Sequence, residues 1–146
     1  MRVLVLHGPN LNLLGQREPE VYGHQTLEQV QEAMKVVGEE LEVELEHHES
    51  QDEGALVARI QTASAKGFSG LVLNAGGFTH TSVAVRDALR ATGVAFVEVH
   101  VSNPMARESF RHRSLLSDLA IGVISGLGVN SYSLGLRGLV AALRDQ

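Results

Sequence analysis

Residues 70–82 read Gly70-Leu-Val-Leu-Asn-Ala-Gly-Gly-Phe-Thr-His-Thr-Ser82, and this stretch sets the pattern for the whole chain. A short apolar run is followed by a glycine-rich turn and then by hydroxyl side chains that can begin a helix. Three similar apolar runs predict strands at residues 2–7, 95–101 and 120–125 in addition to 70–74, and a run of alternating charged and apolar residues predicts another at 42–47. Helical patterns separate these runs. Strands that alternate with helices in this way indicate βαβ units and a parallel sheet.

Helical patterns occupy the segments between these strands. Thr26-Leu-Glu-Gln29 resembles a capping box, and Ser50-Gln-Asp-Glu53 predicts a second helix start of the same kind. Further helices are predicted from residues 79–82 to about 91, at 107–115 and at 131–143. The run at 42–46 alternates between charged and apolar residues, which predicts an edge strand, whereas the other four runs are typical of strands covered on both faces. The sequence therefore predicts an α/β fold: a flavodoxin-like, doubly wound, five-stranded parallel sheet in three αβα layers.

Composition limits the classes of function. The 146 residues fit a single catalytic domain, 1–146, and 44% hydrophobic content is typical of a globular protein. A net charge of −5 argues against nucleic-acid binding, and no apolar stretch indicates a membrane span. The chain has no cysteine, which excludes disulfides, thiolate catalysis and cysteine-bound metals. A reducing cytoplasm is compatible with this composition, and we expect a cytoplasmic protein.

Polar side chains collect at the carboxyl ends of three predicted strands, where parallel α/β sheets bind ligands. Glu98 and His100 are two apart on a strand, so their side chains share a face. The carboxylate either orients the imidazole as a proton donor, or it is the hydrogen-bond partner of a buried structural histidine. Arg107 and Arg111 are four apart on the predicted helix, where they suit either an anion or a solvated surface. The glycine-rich turn either binds an anion or only caps a helix. The other members of the set are His7, Asn10, Asn74, Ser102 and Asn103.

The loop at residues 7–23 has an unusual length and composition, and long ordered loops are often functional. It contains Arg17 and Tyr22. A phenol is a poor base at neutral pH, but a nearby guanidinium favours the phenolate, so a tyrosine base activated by an arginine is chemically reasonable. The remaining histidines do not have the spacing of a zinc site, and we expect them in loops or on the surface: His24, His47, His48 and His112.

Several ordered motifs resemble those of the type II 3-dehydroquinate dehydratases over nearly the whole chain. The motifs are His7-Gly-Pro-Asn-Leu-Asn-Leu-Leu-Gly-x-Arg-Glu-Pro-x-x-Tyr-Gly23, Ser50-x-x-Glu-Gly54, Asn74-x-Gly-x-x-Thr-His-Thr-Ser-x-Ala-x-Arg-Asp87, Glu98-Val-His-Val-Ser-Asn103 and Ala106-Arg-Glu-x-Phe-Arg-His112. The resemblance implies dehydration of 3-dehydroquinate to 3-dehydroshikimate in the shikimate pathway, without a metal or organic cofactor. It also implies a homo-oligomer, a dodecamer of four trimers.

The resemblance also implies roles for individual residues. Tyr22 is the expected base, Arg17 is expected to hold its phenolate, and Asn10 to stabilise an enolate intermediate through a water. His100 is the expected acid, and Glu98 is expected to orient it. The expected substrate contacts are Asn74, Val101 and Ser102 at the carboxylate, His80 and Arg111 at the ring hydroxyls, Arg107 in a mobile lid, and Asp87 towards a ligand in a neighbouring subunit.

Two other functions remain open from the sequence: a non-catalytic binding module with the same fold, and a dehydratase of a related cyclic polyol acid. The presence of both Tyr22 and Arg17 argues against an inactive relative. The only lysines, Lys35 and Lys66, are predicted on helices away from the strand ends, which argues against Schiff-base catalysis. Three departures from the family pattern are Glu49-Ser-Gln51, Phe78 and Pro104-Met105, and the first of them is expected to alter lid or interface contacts.

Overall fold

A five-stranded, all-parallel sheet forms the centre of the computed structural model, which describes residues 1–146. The strands are β1 (Arg2–His7), β2 (Glu44–Glu49), β3 (Gly70–Asn74), β4 (Phe96–His100) and β5 (Gly122–Ser125). Their order is β2-β1-β3-β4-β5, and every neighbouring pair is parallel. The predicted fold class is confirmed, and β2 lies at an edge as its alternating pattern indicates.

Helices cover both faces of this sheet. They are α1 (Pro19–Tyr22), α2 (Leu27–Glu40), α3 (Glu53–Thr62), α4 (Phe78–Thr81), α5 (Val83–Thr92) and α6 (Asn130–Arg144). Because successive strand side chains point to opposite faces, Val3 and Val5 pack in the core beneath α2 and α6. Leu4 and Leu6 pack in the second core beneath α3 and α5.

The helix starts agree with the sequence at α2 and differ in detail at α3 and α5. Thr26 and Gln29 form the predicted capping box, since each side chain accepts the other's backbone N–H. At α3 the cap is Asp52, which accepts the N–H of Gly54 without a reciprocal bond from the third helical residue. The third predicted helix is divided into α4 and α5, because Ser82 is extended and caps α5 by accepting the N–H of Val85.

The predicted helix at 107–115 is wrong. Three 3-10 turns, Pro104–Ala106, Ser109–Arg111 and Ser117–Leu119, lie in this region. The N–H of Leu115 donates to the carbonyl of Thr79 rather than to a carbonyl four residues back, and the Ser114 hydroxyl accepts the N–H groups of Leu116 and Ser117, so the end of the predicted helix is bound to other groups. Asn103 caps the first of the three turns. Arg107 is extended, and the expected helix face shared with Arg111 does not exist.

Both edge strands differ from their predictions. β2 begins at Glu44 rather than residue 42, because Glu42 has a φ of 55° in the turn that follows α2. β5 lies at the opposite edge, where Val123 is 45% exposed, so its apolar run does not indicate burial on both faces.

A crevice opens beyond β1 and β3, because the chain leaves these neighbouring strands towards opposite faces of the sheet. His7 and Asn74 end the two strands in register. A Cβ atom on Gly8 would lie 2.4 Å from the carbonyl oxygen of Ala75, so only glycine lets the two loops approach this closely. None of the helices combines the length and the apolar character needed to cross a membrane.

Candidate active site

A cleft at the carboxyl ends of β1, β3 and β4 brings most of the predicted site residues together. Its volume is about 130 Å³. Three guanidinium groups and no carboxylate line it, so the cleft favours an anionic ligand. The predicted residues that line the cleft are Asn10, Arg17, Tyr22, Asn74, His100, Val101, Ser102, Arg107 and Arg111.

Tyr22 lies among cations at one side of the cleft. Arg17 donates a hydrogen bond of 3.2 Å from Nη2 to the Tyr22 hydroxyl oxygen, and its guanidinium carbon is 4.5 Å from the ring centroid. The guanidinium carbon of Arg107 is 5.1 Å from the same centroid, and this side chain also donates to the Ser102 hydroxyl at 3.2 Å. Two positively charged side chains therefore lie close to one phenol.

His100 and Glu98 form a buried pair at the other side. His100 Nε2 donates to Glu98 Oε2 at 2.5 Å, so the ring is oriented and Nδ1 is left for a ligand. The hydroxyls of Ser114 and Ser117 both donate to Glu98 Oε1 at 2.9 Å. Burial opposes ionisation of Glu98, but the hydrogen bonds from His100 and the serines outweigh it, and the pKa of Glu98 is lowered. The carboxylate therefore stays charged and holds the His100 ring in one orientation.

Asn74 lies at the floor of the cleft and is almost completely buried. Its Oδ1 accepts the N–H of Gly76 at 3.1 Å, and its Nδ2 donates to the hydroxyl of Tyr132 at 3.0 Å. The side chain is thus held on both sides, while one hydrogen of Nδ2 remains for a ligand.

The loop after β1 is attached to the segment between β2 and α3 through one of the departures from the family pattern. Asn10 has a left-handed φ of 69°, and its N–H donates to Gln51 Oε1 at 2.7 Å. Gln51 Nε2 donates to Asn12 Oδ1 at 3.0 Å. Gln51 therefore fixes two positions of the loop.

Three predicted residues lie outside the cleft lining. Glu98 lies behind His100, and His80 stacks on His100 with ring centroids 6.4 Å apart while its Nδ1 donates to the Arg113 carbonyl at 2.8 Å. Asp87 is exposed on α5 and lines a separate groove with Arg113.

The charges of the lining side chains favour this cleft over a larger groove as the binding site of an anion. A groove of about 510 Å³ lies between α2 and β2, but Glu28, Glu32 and Glu39 line it and would repel an anion. No group of three or more His, Asp or Glu side chains is arranged as a metal site.

The sequence interpretation missed several contacts. His47 and His48 were expected in loops or on the surface, but both are half-buried in β2, and His47 Nδ1 is 3.0 Å from His7 Nε2. Val43, Leu45 and His47 continue one alternating row, so period two was the signal that could have placed His47 inside. No local pattern indicates Ser114 or Ser117 as partners of Glu98, because these contacts join residues far apart in the chain.

Comparison with known proteins shows the family of the chain. The family model "Dehydroquinase class II" matches residues 1–140. The chain belongs to the class II dehydroquinase family. The 3-dehydroquinate dehydratase of Bordetella avium (strain 197N) is 57% identical to it over 135 residues, covering 92% of this chain and 94% of that protein. The predicted membership is therefore confirmed.

Solved structures of class II dehydroquinases have the same architecture. The type II dehydroquinase from Butyrivibrio crossotus DSM 2876 superposes with a TM-score of 0.93 at 38% identity, covering 95% of this chain and 97% of that chain. The type II dehydroquinase from Propionibacterium acnes gives a TM-score of 0.90 at 36% identity and covers 96% of each chain. The flavodoxin-like arrangement is thus the fold of the family.

Proposed function

We propose that this class II dehydroquinase is a hydro-lyase that converts 3-dehydroquinate to 3-dehydroshikimate in the shikimate pathway. The observation that carries the proposal is a cleft in which a phenol beside two guanidiniums faces a histidine paired with a buried glutamate. Loss of water next to a ketone needs a base for the α-proton and an acid for the hydroxyl, and these two groups suit those tasks.

Tyr22 takes the α-proton as a phenolate. Arg17 holds its oxygen by a hydrogen bond, and Arg107 adds a second positive charge near the ring. The resulting enolate oxygen carries negative charge and needs a donor. Asn10 lines the same cleft and supplies that stabilisation through a water.

His100 protonates the departing hydroxyl. Because Nε2 donates to Glu98, the catalytic proton is the one on Nδ1 of the doubly protonated ring. Glu98 stabilises this imidazolium and keeps the ring in one orientation. Each of the two proton transfers contributes about 10²–10⁴ in rate.

The remaining polar groups bind the substrate. The amide of Asn74 and the segment formed by Val101 and Ser102 bind the carboxylate. Arg111, in the cleft lining, binds the ring hydroxyls together with His80, which lies next to the lining where it stacks on His100 and is held by its bond to the Arg113 carbonyl. Arg107 closes over the substrate as part of a lid, since it spans from Ser102 to the Tyr22 ring.

Asp87 acts in a neighbouring subunit of a homo-oligomer, for which we propose a dodecamer of four trimers. It is exposed and outside the cleft of its own chain, so a role at a ligand requires a second copy. Exposed apolar side chains at β5 and its flanks, Ile121, Val123 and Leu127, supply surface for contacts between copies.

Turnover is tested by adding 3-dehydroquinate to the purified protein and following the ultraviolet absorbance of the conjugated enone product. We expect the absorbance to rise with a chelator present and after borohydride treatment of the enzyme. Tyr22→Phe, which keeps the ring, serves as the matched inactive control. A flat trace from the folded wild-type protein would contradict the proposal and favour a binding module or a related substrate.

A further inference from the structure

A row of hydrogen-bonded side chains crosses the sheet behind the cleft. It runs from Asn74 Nδ2 to the Tyr132 hydroxyl (3.0 Å), from that hydroxyl to His7 Nδ1 (3.1 Å), and from His7 Nε2 to His47 Nδ1 (3.0 Å). Tyr132 and His7 have no exposed surface, and Asn74 is 3% exposed. The row joins β3, α6, β1 and β2, and only Asn74 lines the cleft.

The direction of every hydrogen bond in this row follows from one backbone group. The N–H of Gly76 can only donate, so the amide oxygen of Asn74 faces Gly76 and the amide nitrogen faces Tyr132. The Tyr132 oxygen therefore accepts from Asn74, and because His7 Nδ1 is the only acceptor that contacts this fully buried hydroxyl, Tyr132 donates its own proton to His7 Nδ1. Burial raises the pKa of Tyr132, although the bond from Asn74 opposes this, so the phenol keeps the proton that it donates.

The same reasoning fixes the tautomers of both histidines. Because His7 Nδ1 accepts, neutral His7 carries its proton on Nε2 and donates it to His47 Nδ1. Neutral His47 then carries its proton on Nε2. A reversed amide would place the Asn74 NH2 group against the N–H of Gly76 and leave two donors facing each other, so the row permits one orientation.

We propose that Tyr132 and His7 are positioning residues that hold the Asn74 amide with its second N–H directed at the carboxylate of the substrate. This inference rests on the proposed function for the identity of the anion. Asn74 touches the ligand, whereas Tyr132 and His7 act through Asn74. His47 extends the row by accepting from His7.

The hydrogen-bond directions are tested without substrate by measuring two-bond and three-bond ¹H–¹⁵N correlations of the histidine rings at pH 7.5. We expect both His7 and His47 as the Nε2–H tautomer. Tyr132→Phe should release His7 from this single form or change its Nδ1 shift, because the donor to Nδ1 is lost. An Nδ1–H tautomer of His7 in the wild-type protein would overturn the proposal, whatever the substrate proves to be.

The positioning role is tested by steady-state kinetics of three variants. A carboxylate keeps its charge throughout the reaction, so weaker binding of it should raise KM and leave kcat nearly unchanged. For Tyr132→Phe and His7→Leu we expect KM to rise about five- to thirty-fold, with kcat within about twofold. His7→Asn places an amide oxygen near the position of Nδ1 and should restore KM to within about threefold of the wild type.

A core variant on the same helix, Leu136→Met, is the matched control and should leave KM unchanged, because it alters packing without touching the row. A fall in kcat at constant KM, or equal damage from His7→Asn and His7→Leu, would refute the positioning role. If Tyr132→Phe does not fold, the two His7 variants decide the question. If the wild type does not turn over 3-dehydroquinate, the proposed function fails, while the tautomer measurement and the dissociation constant of quinate, a stable carboxylated ring, still test the row.

Discussion

Lowering the pH from 7.5 to 5.5 should destabilise the protein through two histidines that the fold keeps neutral. Burial, followed by the charges of His47 and His48, lowers the pKa of His7 to about 3. Burial lowers the pKa of His47 to about 4. Above pH 7.5 both residues are neutral in the folded and unfolded chains and do not affect stability. As the pH falls through 6.5, the unfolded chain binds protons that the folded chain cannot accept.

The magnitude follows from linkage. At pH 5.5 an unfolded histidine with a pKa of about 6.5 is stabilised by about 1.4 kcal/mol, while each of these folded histidines stays neutral. The pair therefore lowers the free energy of unfolding by about 2.8 kcal/mol between pH 7.5 and 5.5. Carboxylates with lowered pKa values, such as Glu98, contribute stability that is present above their unfolded value and is lost only below this window.

The assay is urea unfolding at pH 7.5, 6.5 and 5.5 at one fixed protein concentration, because association changes apparent stability. The midpoint should fall by about 1–3 M across the range. His47→Asn keeps an acceptor for His7 and removes one titrating group. In this variant the free energy of unfolding should therefore fall by about 1.4 kcal/mol less between pH 7.5 and 5.5 than in the wild type. His24→Asn, in an exposed loop, is the control and should behave as the wild type. A midpoint that does not change with pH, or the full loss in His47→Asn, would refute this reasoning.

Three further predictions concern the site. Tyr22→Phe should lower kcat by about 10²–10⁴ while the dissociation constant of quinate changes by less than about threefold; comparable turnover would remove Tyr22 as the base. His100→Ala should block dehydration but still allow solvent deuterium to exchange at the α-carbon, followed by NMR, and equal loss of both would contradict the acid assignment. The double variant Ser114→Ala/Ser117→Ala should raise the pKa of Glu98, because only His100 then opposes the effect of burial. The acid limb of the pH profile of kcat should move to higher pH, and an unchanged limb would contradict this.

The elements predicted well from the sequence are those that local pattern determines. The apolar run at residues 70–74 becomes a completely buried strand, and the capping box at Thr26 begins α2. The region after β4 could not be predicted in this way. Its charged residues have helical spacing, but Ser114 uses its hydroxyl to donate to Glu98 and to accept two backbone N–H groups, which fixes a turn instead. The contacts of this region with Glu98 on β4 therefore override its local helical preference.

The candidate site was predictable in its residue types and less so in its supporting contacts. Parallel topology brings the ends of β1, β3 and β4 together, so grouping Asn74 with His100 requires only the fold. The role of Tyr132 required the packing of α6, in which its ring lies on the core beside apolar side chains and only its hydroxyl reaches His7. A tyrosine among the apolar residues of a helix face gives no sequence signal of the side chain that its hydroxyl contacts.

The position of the one carboxylate near the cleft explains how an anion site can contain a negatively charged group. Glu98 is 2% exposed and lies behind His100, and both of its oxygens accept hydrogen bonds from neighbouring side chains. The Glu98 charge therefore acts on the imidazole, whose Nε2 is 2.5 Å from Glu98 Oε2. Arg17, Arg107 and Arg111 determine the electrostatic potential inside the cleft. If Glu98 lined the cleft, it would repel the substrate carboxylate and compete for these guanidiniums. A buried glutamate held by two serines can thus orient the histidine without weakening anion binding.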